Sequence, residues 1–266
     1  MQERSMGIRT VATAAAFALA VGSANANVFE VIHADVEKDG FEFESINTLT
    51  LSDVAAGDEK SVHEIAFSYA PTSWWKPIAA LEIANPQGGN AEIEAFEFGS
   101  VFLLPLGDGH AHSHDHSHGA GGARETHFTL AGFVGFELPN EAGLNEAALS
   151  FGPIIEVEHG PWLVIGNLFA EVPFADGVDP GLAYAASAAH SVGPNWRLGV
   201  EAHGEVQEAF GNAPAFDQQE HFIGPAAYSA FDLGHGRILE PRIALLAGYT
   251  DAAADAVLSF NLELKF

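Results

Sequence analysis

The last eleven residues, Ala256 to Phe266, alternate without a fault: Leu258, Phe260, Leu262, Leu264 and Phe266 fall on one side and Ser259, Asn261, Glu263 and Lys265 on the other. Successive side chains of an extended strand point to opposite faces, so this segment offers one face to hydrocarbon and the other to water. A helix would scatter the same residues around its circumference. The rhythm recurs in Glu64 to Tyr69, Thr126 to Leu138, Ala147 to Glu158 and Trp196 to Val206, each bounded by Gly, Pro, Asn or Asp. About twelve candidate strands follow, starting near Phe41, His63, Pro77, Glu92, Thr126, Ala147, Trp162, Leu182, Trp196, His221, Arg237 and Val257.

A soluble sandwich has the same period, so other features decide between the two. Trp74, Trp75, Trp162, Phe174, Trp196, Phe210 and Tyr249 fall at strand ends, where membrane-interface girdles lie. Brief connections (Glu158 to Pro161, Gly193 to Asn195, Gly234 to Gly236) interleave with longer ones (Val172 to Gly181, Gln207 to Gln219), the rhythm of short periplasmic turns and long external loops. The expected fold is therefore all-β, an antiparallel up-and-down transmembrane β-barrel of about twelve strands over residues 41–266, with 27–40 as an N-terminal periplasmic lead-in.

Residues 1–26 read as a signal peptide: Arg4 and Arg9 precede the apolar run Val11 to Val21, and Ala24-Asn25-Ala26 is a small-x-small cleavage site. Removing them takes Arg4, Arg9 and Glu3 from the 10 basic and 36 acidic side chains, leaving 8 and 35 and a formal charge of about −27. Such a surface repels nucleic acid and attracts cations. With no cysteine, neither disulfides nor thiolate metal sites are available.

Two groups of residues carry a family likeness. The closing run Ala256 to Phe266 resembles the C-terminal signal by which Gram-negative outer-membrane proteins are handed to the barrel-assembly machinery, which makes that machinery, through Phe266, an implied partner alongside outer-membrane lipid. The segments His190 to Val200 and Leu246 to Asp255 are similar to turns in a family of roughly twelve-stranded barrels labelled as transporters of a phenol-degradation pathway. That resemblance implies an outer-membrane barrel and names no catalytic residue.

Residues 107–122, Gly-Asp-Gly-His-Ala-His-Ser-His-Asp-His-Ser-His-Gly-Ala-Gly-Gly, form a His-rich turn between the fourth and fifth strands. His110, His112, His114, His116 and His118, with Asp115, make a flexible ligand set for Zn, Cu or Ni. A solvated turn, or a pH-responsive one that charges near pH 6, remains an alternative. With both termini periplasmic and Phe41 opening the first strand, this connection is periplasmic; an extra strand at Val28 to Ala34 would move it outside.

On the water-facing side, Glu42, Glu44, Glu64, Glu82, Glu92, Glu94, Glu137, Glu156, Glu158, Glu201, Glu205 and Glu263 outnumber Arg197, Arg242 and Lys265. Such a lining favours cations, unless the acids pair with one another in a filled interior. Glu201, His203 and Glu205 share one face of one strand. With Glu156, Glu158, His127 and His221 they are candidates for a lumenal cation site, although about 7 Å from neighbour to neighbour is too wide for the three alone.

Hydrolase signals amount to Ser61 with His63 and Ser187 with His190, without a Gly-x-Ser-x-Gly elbow, so no enzyme activity and no required cofactor are expected. The expected function is a passive or facilitated pore for small cations or metal chelates. The alternative is a closed barrel that binds metal or plays a structural part in the envelope. Oligomeric state is not legible.

Overall fold

The computed structural model describes residues 29–51, 59–105, 126–140 and 147–266. Residues 1–26, expected as a signal peptide, and the His-rich tract, with His110, His112, His114, Asp115, His116 and His118, lie outside the described residues. The strands are β1 (Phe41–Thr50), β2 (Glu59–Tyr69), β3 (Trp75–Pro86), β4 (Glu92–Leu103), β5 (Thr126–Pro139), β6 (Ala148–His159) and β7 (Trp162–Pro173). They continue with β8 (Gly181–Ser191), β9 (Trp196–Val206), β10 (Glu220–Ser229), β11 (Phe231–Gly234), β12 (Arg237–Gly248) and β13 (Ala256–Lys265).

Each strand pairs antiparallel with the next except β10 with β11, and β1 closes on β13 from Glu42↔Lys265 to Thr50↔Val257. Both β10 and β11 pair with β12, interrupted only at Ala230, so they are two lengths of one stave. The thirteen segments thus make a closed twelve-strand barrel without an exposed sheet edge. Closure satisfies every strand's backbone groups internally, as hydrocarbon surroundings demand.

The pleat sorts the side chains as the sequence rhythm requires. Phe67, Phe98, Phe128, Leu168, Leu198, Ile223, Leu245 and Phe260 stand exposed on the outside, while their sequence neighbours turn inward. Turns 160–161, 192–195 and 235–236 share one end of the barrel with the Phe41–Phe266 closure, where Phe266 N donates to Phe41 O at 2.8 Å. Gly160 takes φ 57° in the tightest of these, a left-handed conformation that glycine adopts freely. The connection at 104–125 bridges β4 and β5 at this same short-turn end, where it is the one long exception.

The largest departure from expectation is at the N-terminus. Residues 29–36, expected in a periplasmic lead-in over 27–40, lie inside the barrel. Ile32 N donates to Asn167 Oδ1 at 2.8 Å and Asn167 Nδ2 returns a bond to Ile32 O at 2.9 Å, fixing the chain against the middle of β7. The segment makes no strand of the sheet.

Apolar stripes on the inner wall explain why it sits there. Ile32, Ala34 and Val36 pack against Val101, Ala131, Phe133, Ile154 and Phe169. Phe29 covers Phe222, Ala226, Ala244, Leu246 and Val257, and Val31 joins Leu163, Ile165 and Ala185. Without the segment these side chains would face water; each that is fully buried is worth about 1.5–3 kcal/mol.

Candidate functional site

The lumen divides along its axis. Towards the short-turn end, two lysines are shared among four carboxylates. Lys76 Nζ lies 2.9 Å from both Asp35 and Glu42, and Lys265 Nζ lies 2.7 Å from Asp35, 2.8 Å from Glu240 and 3.4 Å from Glu263. Asp35, Glu42 and Glu263 offer oxygens within 4.8 Å of one another, yet two ammonium groups already fill the role a metal would play. Burial disfavours the Asp35 charge, but Lys265 and Lys76 outweigh it and hold the carboxyl well below its usual range.

His33, on the same segment and outside the spanning strands, has Nδ1 3.3 Å from Glu156 Oε2. Burial opposes its charge, and the Glu156 carboxylate more than compensates, raising the imidazole to about 9. Three independent tethers therefore hold residues 32–35: Asn167, the two lysines and Glu156.

Towards the opposite end the inward positions carry Glu64, Glu82, Glu97, Glu137, Glu171, Glu205 and Glu220. Glu64 and Glu82 are cross-strand partners, as are Glu97 and Glu137, and Glu205 and Glu220. The side chains of Glu64 and Glu205 are buried, each with one carboxylate oxygen that has no hydrogen-bond partner.

The expected cluster of Glu201, His203 and Glu205 is on one face, but its members do different things. The Arg242 guanidinium grips Glu201 through Nε at 2.6 Å and through a second, shorter bond from Nη2. Tyr228 Oη donates to the same carboxylate at 2.6 Å and His203 Nε2 lies 2.9 Å away. This is a closed, buried network; Phe29 caps it, its ring 5.8 Å from that of His203.

Two proposed partners are not there. His221 faces outward, stacked between Phe216 and Tyr249 at 4.8 and 5.6 Å and bonded to Tyr184 Oη at 3.0 Å. Gly204, its cross-strand partner, leaves room for the ring, since a Cβ there would strike it. His127 stands at the start of β5, at the short-turn mouth, far along the barrel from His203 near the end of β9. Glu158 meets Arg197 at 3.3 Å and Glu156 meets His33, so neither joins a site with Glu201.

The hydrolase coincidences resolve similarly. Ser187 points inward while His190 points outward against Trp162, 4.8 Å away edge-on. Ser61 Oγ lies 3.4 Å from His63 Nε2, and His63 Nδ1 is 2.9 Å from Asn47 Oδ1. That chain of polar groups sits on the outward face beside Leu49 and Ile83.

A cavity of about 530 Å³ opens within this lysine-bearing, short-turn half, and a small one of about 40 Å³ lies deeper among Glu64, Glu97 and Phe133. Glu30, Ile32, Glu44, Ala66 and Ile78 border both, so the inserted segment stands between them as a constriction. Sequence reasoning missed Lys76, Glu97, Glu171, Glu240, Glu30 and Asp35 in this lining.

No family model and no curated protein matches the sequence. Among solved structures, the chain resembles the COG4313 outer membrane channel from Pseudomonas putida F1, with a TM-score of 0.56 and 10% identity over 89% of this chain and 99% of that one. It also matches the KdgM porin (TM-score 0.47, 5% identity, 85% and 98% covered) and the Acinetobacter baumannii outer membrane protein Omp33 (0.43, 8%, 86% and 98%). The likeness to the Pseudomonas channel, at 10% identity, shows a shared fold, that of a closed outer-membrane barrel.

Proposed function

We propose that the protein is an outer-membrane pore for small cations or metal chelates, narrowed by its own N-terminal segment. The observation that carries this reading is the half-lumen lined by Glu64, Glu82, Glu97, Glu137, Glu171, Glu205 and Glu220, a field that concentrates cations and excludes phosphates and carboxylates. The His-rich turn, carried on a connection at the short-turn mouth, raises the local concentration of Zn, Cu or Ni there. No cofactor is required for passage.

Planar-bilayer recording of the mature protein under a salt gradient tests the reading. A reversal potential of the sign for cation preference, moved towards zero in a Glu64→Gln/Glu97→Gln/Glu137→Gln variant, is expected. Anion preference, or no conductance even after deletion of residues 27–36, overturns it. The phenol-pathway label of the family it resembles is kept as a question of solute: a chelate or a phenolic compound added to one side should shift or block current if it enters.

A second reading, a closed metal-binding or structural barrel, is favoured by the filled middle of the lumen. It predicts Zn or Cu uptake without conductance, lost when His110, His112, His114, His116 and His118 become Ala.

A further inference from the structure

We infer that the short-turn half of the lumen is a binding site for organic ammonium compounds, small amphiphiles with one cationic head and one hydrocarbon body. The inference rests on the cation-pore reading and names a solute class for it. The cavity of about 530 Å³ is of the size that accepts small organic molecules, and its two sides differ in chemistry. One side is aliphatic: Leu163 and Ile165 of β7, with Val31 laid against them. The other side is β1 and β13, where Glu44, Asn261 and Glu263 face the same space. In the twelve-strand ring β1 and β7 stand diametrically opposed.

The ion pairs leave an excess of acid there. Asp35 and Glu42 are matched by Lys76 and Lys265, and Glu201 by Arg242, whereas none of the described ion pairs includes Glu30 or Glu44. Asn261 spends its amide N–H on Glu44, which leaves its Oδ1 buried and without a partner; the Ser229 hydroxyl is in the same position. Both side chains are more than nine-tenths buried and both border the cavity. The unused Asn261 acceptor, beside the unmatched Glu44 carboxylate, suits an N–H-bearing cation. Glu30, on the inserted segment, is pushed up to about 7 by burial and by Glu97, as an acid is when it lacks a counter-ion.

A bare inorganic ion would satisfy the acids and leave the aliphatic wall unused; an ammonium head with an alkyl body matches both. Each methylene moved out of water onto that wall tightens binding by about 4-fold.

Isothermal titration of the detergent-purified mature chain at pH 8 with propylammonium, hexylammonium, hexanoate and hexanol tests the inference. Hexylammonium should bind at least 10-fold tighter than propylammonium and than hexanoate. Glu44→Gln should weaken hexylammonium by about 10-fold or more and leave hexanol unchanged. Leu163→Ser should flatten the dependence on chain length. If hexylammonium binds no tighter than hexanoate or propylammonium, the site does not exist; the wild-type series decides this even where a variant does not fold. Titration needs no conductance, so a barrel that binds hexylammonium but passes no current refutes the pore alone, and one that conducts cations without this preference refutes the site alone.

Discussion

Asn167→Leu removes both hydrogen bonds that fasten Ile32 to the wall while keeping nearly the same side-chain volume. Asn167 is 3% exposed, and its two bonds, at 2.8 and 2.9 Å, hold the backbone N–H and C=O of Ile32. At 0.5–1.5 kcal/mol net for each bond, the docked state loses about 1–3 kcal/mol, a rise of roughly 5- to 150-fold in the undocked population. Peptide-level hydrogen exchange read by mass spectrometry reports that population directly, because residues 29–36 are protected only while docked. Exchange in this peptide should accelerate by that factor while a control peptide from β13 keeps its rate. Single-channel records should show wide-open events more often, in the same direction. Exchange changed by less than about 2-fold would refute the tethering argument. A parallel rise throughout β6–β8 would show instead that the wall, not the segment, had been loosened.

Glu201→Ala strands the Arg242 guanidinium among buried groups, and the fold should lose about 3–5 kcal/mol; guanidinium unfolding of the detergent-solubilised barrel measures it, and a loss under about 1 kcal/mol would mean that lumen water screens the pair. The His33 imidazole, raised to about 9 against an ordinary 6.5, contributes to docking fully below its ordinary value and loses that contribution as pH climbs through about 9. NMR titration of its ring should show the raised value in the native protein and a return towards the ordinary one in Glu156→Gln; an unraised native value would refute the pairing.

The barrel was legible because its signal is redundant: twelve segments repeat one period, and a slip of one residue in any of them would turn its outward apolar side chains into the lumen. Positions inside the barrel were legible only where the period holds. Between Glu82 and Ile83 the register to β4 shifts by one, so that Ile93 and Ala95 face consecutive residues of β3 with Glu94 between them. Past this bulge the inward set changes parity, and Glu97 was therefore missed. Lys76 is hidden because the sequence pattern starts the third strand near Pro77, whereas β3 begins at Trp75. His221 was misplaced because the first residue of a strand carries no parity of its own. Its outward turn depends on Gly204 across the ladder, a relation that only pairing reveals. The N-terminal segment was illegible for a different reason: an extended strap with apolar residues on both sides looks like any short strand, and its partners are scattered over most of the barrel wall.

Those partners also bear on how a solute would pass. Phe133, Ile154, Ile165, Phe169 and Phe222 are inward-facing and large, a poor lining for an aqueous channel and a good bed for a strap. Complete release of residues 29–36 would wet all of them at once, at a cost of several such burials, so full ejection is not the everyday route. The acids, by contrast, run as a continuous arc: Glu137, Glu97, Glu82 and Glu64 on adjacent strands β5 to β2, then Glu44 on β1 with Glu30 beside it. A cation following that arc reaches the larger cavity while the strap keeps its apolar bed. Under the pore reading, loosening the strap tunes the width of this path, so weakening Asn167 should raise conductance more than it alters ion preference.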